Sequence, residues 1–153
     1  MQRATIAAES RGIQDSICAQ LEELDGHARF IEDAWTRAEG GGGRTRVIAG
    51  GSLLEKGGVN FSEVHGPLAP AAAKALNVEA DRFYATGVSI VLHAHNPWVP
   101  TIHMNIRYFE AAEQKWFGGG IDLTPVYVDP ASARRFHQRL KEVCDPWDPR
   151  YYA

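Results

Sequence analysis

Strand-like segments that follow one another with only short turns between them constrain the fold of this chain more than any other feature of its sequence. Gly-Gly, Asn-Pro or charged turns bound five such segments, at 46–49, 59–61, 83–93, 101–111 and 115–128. A looser alternation at 29–37 predicts one more strand. Parallel neighbours would need a crossover of about a dozen residues or more, so the short turns predict a largely antiparallel sheet.

Three segments with helical character accompany the predicted strands. Apolar residues spaced 4, 4 and 3 apart indicate an amphipathic helix over 10–25: Ile13, Ile17, Leu21 and Leu24. Asp25-Gly26 ends this helix. An alanine-rich helix is predicted at 69–76, and a last helix begins at the N-cap Asp129 and continues to Cys144. We therefore expect one α+β domain over 1–153, with helices flanking a largely antiparallel sheet, and a flexible glycine turn at 40–43.

Charge and composition exclude several classes of protein. The chain has 16 Lys+Arg against 19 Asp+Glu, which gives no reason to expect nucleic-acid or membrane-surface binding. No apolar run approaches the roughly 20 residues of a membrane span, and the N-terminus lacks a secretory signal, so we expect a cytoplasmic protein. Cys18 and Cys144 lie far apart and suggest neither a disulfide framework nor a thiolate zinc site.

Polar side chains alternate with apolar ones on the strands at 83–93 and 101–111. Ser89 and His93 share one face of the first strand, and His103, Asn105 and Arg107 share one face of the second. If the strands pair, these residues form one patch, in which arginine suits a carboxylate and histidine suits a proton or a metal. The alternative is the solvated face of a half-exposed sheet.

A glycine run and a histidine add two further candidates. Gly118 to Gly120 predict either a bulge or a backbone kept bare for a ligand, and Asp122 could be a buried carboxylate facing that ligand or a turn cap. His137 on the last helix could be a hydrogen-bonded core residue or a ligand. Neither glycine cluster has the pattern of a nucleotide-binding loop.

Several long motifs taken together resemble the oxygen-dependent coproporphyrinogen-III oxidases. They occur in the order of that family and cover nearly the whole chain: QDSICAQLEELDG (14–26), DAWTRAEGGGG (33–43), LLEKGGVNFSEVHG (53–66), GVSIVLHAHNPWVPTIHMNIRYFE (87–110), WFGGGIDLTPVYV (116–128) and RFHQRLKEVCD (135–145).

The resemblance implies an activity and a mode of assembly. The family converts coproporphyrinogen III into protoporphyrinogen IX by oxidative decarboxylation of two propionates to vinyl groups, in haem biosynthesis. It consumes O2 and uses no organic cofactor, although a divalent metal such as manganese has been proposed for bacterial members. The resemblance also implies a homodimer. Family members are about twice as long, so we expect this chain to be truncated and to lack appreciable oxidase activity by itself.

The resemblance also assigns roles to residues of the patch. It implies substrate contacts at four positions: Ser89, Asn105, Ile106 and Arg107. It implies a metal-ligand set of three histidines: His93, His103 and His137. His103 is in addition the expected proton donor, and Asp122 is the expected catalytic carboxylate near the substrate.

Two other interpretations stay open on the sequence. Gly87, His93 and His95 reproduce the opening of a cupin metal motif, but Val99 and Pro100 stand where that motif needs a glutamate. A cupin-like metal-binding β domain would use the same histidines. The other possibility is an inactive fragment that binds a tetrapyrrole.

Overall fold

The computed structural model describes residues 2–152, and the predicted α+β class is confirmed. Six strands form one antiparallel sheet in which each strand pairs with the next along the chain: β1 (Ile31–Thr36), β2 (Gly41–Ala49), β3 (Leu54–Pro67), β4 (Arg82–Ala94), β5 (Thr101–Ala111) and β6 (Gln114–Thr124). Three α-helices and a short 3-10 turn accompany the sheet: α1 (Arg3–Asp25), α2 (Pro70–Leu76), α3 (Pro130–Cys144) and the turn Pro149–Tyr151.

Three strand predictions need correction. The strand predicted at 59–61 is much longer and extends from Leu54 to Pro67 as β3. The strand predicted at 115–128 ends at Thr124, because Pro125 has no N–H to continue the ladder. The glycine run was predicted to be a flexible turn, yet only Gly40 lies outside the strand and the next three glycines begin β2. Glycine suits this part of the strand because the neighbouring groups pack closely: a Cβ at Gly43 would overlap the indole ring of Trp35.

The first helix is longer than predicted and buries a different stripe. It begins at Arg3 and ends at Gly26, whose φ of 73° is the left-handed cap expected there. The buried residues recur every three or four positions, and several are small or polar: Ile6, Ala7, Ser10, Gln14 and Cys18. Ile13 and Leu24 are exposed, so that part of the prediction is wrong. Hydrophobic periodicity misses this stripe because hydrogen bonds, and not apolar side chains alone, fix the helix to the sheet.

One face of the sheet forms the core beneath α1. Val59, Val88 and Ile90 pack there against Cys18, and the predicted apolar face of β4 and β5 is confirmed by their register. The other helices lie at the edge of the domain, since neither α2 nor α3 has a buried residue. The opposite face of the sheet is consequently left open, and it carries the predicted polar patch.

Two further features concern the helices and the cysteines. Within residues 2–152 no helix combines the length and the apolar composition needed to cross a membrane. Cys18 and Cys144 are both free thiols.

Candidate functional site

The open face of the sheet brings together most of the predicted polar residues. In the antiparallel register Ser89 lies opposite Asn105, and Arg107 lies two residues further along β5. His103 lies opposite Asp122 of β6. Residues paired in this way point to the same side of a sheet. We call this group of five residues the polar face: Ser89, His103, Asn105, Arg107 and Asp122.

His103 and Asp122 form the most defined contact of the polar face. The Nδ1 atom of His103 lies 2.9 Å from Oδ1 of Asp122, and Thr124 donates its hydroxyl to the same oxygen at 3.4 Å. The hydrogen bond with His103 lowers the pKa of the Asp122 carboxyl, which therefore stays ionised. An ionised carboxylate favours the proton on Nδ1, so Nε2 of His103 is left to accept or deliver a proton.

Of the two alternatives left open for Asp122, the buried carboxylate is wrong. Its side chain is 58% exposed and that of His103 is 48% exposed. The pairing of the two residues was not predicted, although the register of β5 and β6 would have placed them opposite each other. That register is the signal that could have revealed the pair.

The glycine run of β6 leaves the positions opposite Asn105 and Arg107 on the polar face without side chains. The pairing of β5 with β6 continues regularly from Thr101–Thr124 to Ala111–Gln114, so the alternative of a bulge is wrong. A Cβ added at Gly120 would have no atom within 4 Å, which leaves bare backbone beside Asn105. Gly119 points to the opposite face, where a Cβ would overlap the carbonyl oxygen of Asn105. The result is a flat surface that a ligand can approach closely.

Aromatic rings border the polar face on the side of Arg107. Phe109 stacks on Phe83, with ring centroids 5.6 Å apart, and lies 4.9 Å from the ring of Trp116. Phe109 is two residues beyond Arg107 and so points to the same side of β5. A cation, neutral hydrogen-bonding groups and aromatic surface together suit a ligand that carries both a carboxylate and apolar surface.

The predicted metal ligands are spread over a wider area. His93 lies on the same side of the sheet, and its Nδ1 is 3.4 Å from the hydroxyl of Thr101. His137 lies on α3, where its ring meets the edges of Phe136 and Tyr152. It lines a cavity that Asp122 also lines. Within residues 2–152 no three His, Cys, Asp or Glu side chains gather closely enough to hold a metal ion. The set of His93, His103 and His137 stays a prediction.

Two residues that the sequence pattern singles out contribute no side chain to the polar face. Ile106 lies on β5 between Asn105 and Arg107, so its side chain points to the core face beside Val88. Only the backbone of Ile106 lies along the polar face. His95 lies beyond the end of β4, and its Nε2 is 3.0 Å from the carbonyl oxygen of Gly51.

The cupin alternative is wrong. A cupin is a jelly roll made of two packed sheets, whereas this chain forms one six-stranded sheet in sequential order. His95 is also held in the loop and does not share a strand with His93.

Comparison with known proteins identifies similar sequences. Residues 5–153 match the model of the family described as coproporphyrinogen III oxidase. The protein named oxygen-dependent coproporphyrinogen-III oxidase in Parasynechococcus marenigrum (strain WH8102) is 51% identical over 149 residues, which are 96% of this chain and 41% of that protein. The protein of the same name in Synechococcus sp. (strain CC9605) is 52% identical over 90% of this chain and 39% of its own length. The chain thus spans about two fifths of the length of these relatives.

Proposed function

Because the chain belongs to the coproporphyrinogen III oxidase family, we propose that its polar face binds coproporphyrinogen III and takes part in converting it into protoporphyrinogen IX. The observation that carries the proposal is the placement of Arg107, Ser89 and Asn105 beside the hydrogen-bonded pair His103–Asp122 on one open face. The proposed reaction is the oxidative decarboxylation of two propionates to vinyl groups with O2 as oxidant.

The chemistry of the substrate explains why this face suits it. Coproporphyrinogen III carries four propionates, and the planar fork of Arg107 can bind a carboxylate through two hydrogen bonds. Ser89 and Asn105 supply neutral groups that fix the orientation of the ring. The bare backbone at Gly120 allows close approach, and the rings of Phe109 and Trp116 cover the apolar edge of the ligand.

The reaction needs groups that can hold and move a proton. Each propionate that becomes a vinyl group loses CO2, one proton and two electrons, and O2 accepts the electrons. His103 is the proposed proton carrier, since its Nε2 is free while Asp122 holds Nδ1. Asp122 orients the imidazole, and its ionised carboxylate stabilises the protonated ring.

Further parts of the proposal concern metal, assembly and location. The proposed proton transfer uses His103 and Asp122, and elemental analysis of the purified protein will measure whether manganese binds at His93, His103 and His137. The proposed homodimer is supported by the exposed apolar side chains of Phe117 and Ile121, and light scattering will measure it. The proposed cytoplasmic location is to be measured by cell fractionation.

A chimera provides the direct test of the proposed activity. Residues 1–153 replace the matching segment of the relative from Synechococcus sp. (strain CC9605), and the product is assayed under air for CO2 release and protoporphyrinogen IX formation. We expect turnover by the chimera and its loss in His103→Ala. A chimera that folds, binds the substrate and does not turn over would support the alternative of an inactive tetrapyrrole-binding fragment.

A further inference from the structure

The amide of Asn60 on β3 has a hydrogen-bonding capacity that the fold does not use. Within residues 2–152, its Oδ1 is the only buried side-chain nitrogen or oxygen atom without a hydrogen-bond partner. An unpaired buried acceptor destabilises a folded protein, so such an atom in a native fold calls for an explanation. A donor supplied by a ligand is one explanation that can be tested.

Asn60 lies in line with residues of the polar face. It is opposite Ser89 of β4, which is opposite Asn105 of β5, so the three side chains point to the same side of the sheet. On its other flank Asn60 is opposite Thr45, whose hydroxyl oxygen accepts a hydrogen bond from the indole of Trp35 at 3.2 Å. Thr45 is thus already engaged, whereas the amide oxygen beside it is not.

The neighbouring position on the same side of β3, toward the start of the strand, carries no side chain. Gly58 is the next residue on that side of β3, and a Cβ added there would lie 3.7 Å from the amide nitrogen of Asn60. Asn60 itself is half-buried, and the last torsion of an asparagine side chain has a broad range. A small rotation can therefore turn the amide oxygen toward a ligand that lies on the open face.

We propose that the amide oxygen of Asn60 accepts a pyrrole N–H of the bound porphyrinogen, an inference that rests on the function proposed above. Two strand spacings separate Asn60 from Asn105, a distance of about 10 Å. A ring whose propionates reach Arg107 on β5 would therefore extend over β4 toward β3. There its pyrrole N–H groups need a neutral acceptor, because a carboxylate at that position would repel the propionates.

The proposed hydrogen bond makes Asn60 a specificity residue for the reduced ring. Coproporphyrinogen III presents four pyrrole N–H donors on a flexible macrocycle. Coproporphyrin III, its oxidised form, has a planar ring with two N–H groups and carries the same propionates. Loss of the acceptor should therefore weaken binding of the reduced ring and leave binding of the oxidised ring nearly unchanged.

The test compares dissociation constants for both rings, measured without oxygen by quenching of tryptophan fluorescence. Asn60→Leu keeps the approximate shape of the side chain without its acceptor. We expect it to raise the dissociation constant for coproporphyrinogen III about tenfold, the loss of about one hydrogen bond. The dissociation constant for coproporphyrin III should change less than about twofold, since the shared propionate contacts remain. Asn60→Asp retains an acceptor oxygen but adds a negative charge, so both dissociation constants should rise while the preference for the reduced ring remains.

Gln20→Leu provides a matched control, because it makes the same amide-to-alkyl change at an exposed position of α1 on the far side of the sheet. We expect it to change neither constant. Urea unfolding adds an independent measurement, in which Asn60→Leu should be at least as stable as the wild type because the unpaired acceptor is gone. If Asn60→Leu does not fold, Asn60→Ala takes its place.

The outcomes separate this inference from the function on which it rests. If the wild type binds coproporphyrinogen III and Asn60→Leu weakens the binding of both rings equally, Asn60 contributes only to the shape of the site and the inference is overturned. The same conclusion follows if Asn60→Leu binds the reduced ring as the wild type does. If the wild type binds neither ring, the proposed function fails, and the role of Asn60 fails with it.

Discussion

Replacement of Gln14 by leucine perturbs the connection between α1 and the sheet. Gln14 is fully buried, with 0% of its surface exposed. Its Nε2 donates to the carbonyl oxygens of Arg44 and Val59, each at 2.7 Å, and its Oε1 accepts from Nε of Arg44 at 2.7 Å. Gln14→Leu removes all three hydrogen bonds and keeps a side chain of similar size.

The contacts of Gln14 set the size of the expected effect. Two bonds to neutral carbonyls contribute about 1 kcal/mol each, and the bond from the guanidinium contributes about 2 kcal/mol. The additional apolar surface of leucine offsets about 1–2 kcal/mol of this loss. We therefore expect Gln14→Leu to lower the free energy of unfolding by about 2–3 kcal/mol. Domains of this kind have stabilities of about 5–15 kcal/mol, so the loss is a large fraction of the total.

Urea unfolding followed by far-UV circular dichroism measures this change, and Tm should fall by about 5–10 °C. Gln20→Leu makes the same chemical change at an exposed position of the same helix. It should alter the free energy of unfolding by less than about 0.5 kcal/mol. A Gln14→Leu protein that is as stable as Gln20→Leu would refute the reasoning that the amide holds α1 to the sheet.

Three further predictions concern substrate binding by Arg107, the loss of stability at acid pH and the glycines of β6. Arg107→Lys should weaken binding of coproporphyrinogen III about tenfold because a point charge does not replace the fork; unchanged affinity would remove Arg107 from the site. Five backbone N–H groups donate to the carboxylate of Asp25, and the bond from Leu54 is the main cause of its lowered pKa. The resulting stability is present above about pH 4 and is lost as the pH falls further. Asp25→Asn should therefore lower the urea midpoint more at pH 7 than at pH 3, and equal shifts would contradict this. Gly119→Ala should lower Tm because its Cβ would overlap the neighbouring strand, whereas Gly120→Ala should not; circular dichroism distinguishes them.

Local patterns in the sequence were sufficient to predict that each strand exists and how the two faces of β4 and β5 divide, but not the bounds of β2, β3 and β6. Alternation with a period of two places Ser89 and Val88 on opposite sides whatever the partner strand is. The start of α3 was equally predictable, because the Asp129 carboxylate accepts hydrogen bonds from the N–H groups of Ala131 and Ser132, its close neighbours in the chain. Such features follow from backbone geometry within a few residues.

Contacts between distant segments were decided only by the tertiary structure. Gln14 is buried because carbonyls of β2 and β3 lie within reach of its amide, which no helical periodicity reveals. His103 and Asp122 form a pair because the register of two strands places them opposite each other. Asn60 lies opposite Ser89 for the same reason, although 28 residues separate the two in the sequence. Register is fixed by the pairing of whole strands and by the packing of α1 on one face, so the chemistry of the site depends on the completed sheet.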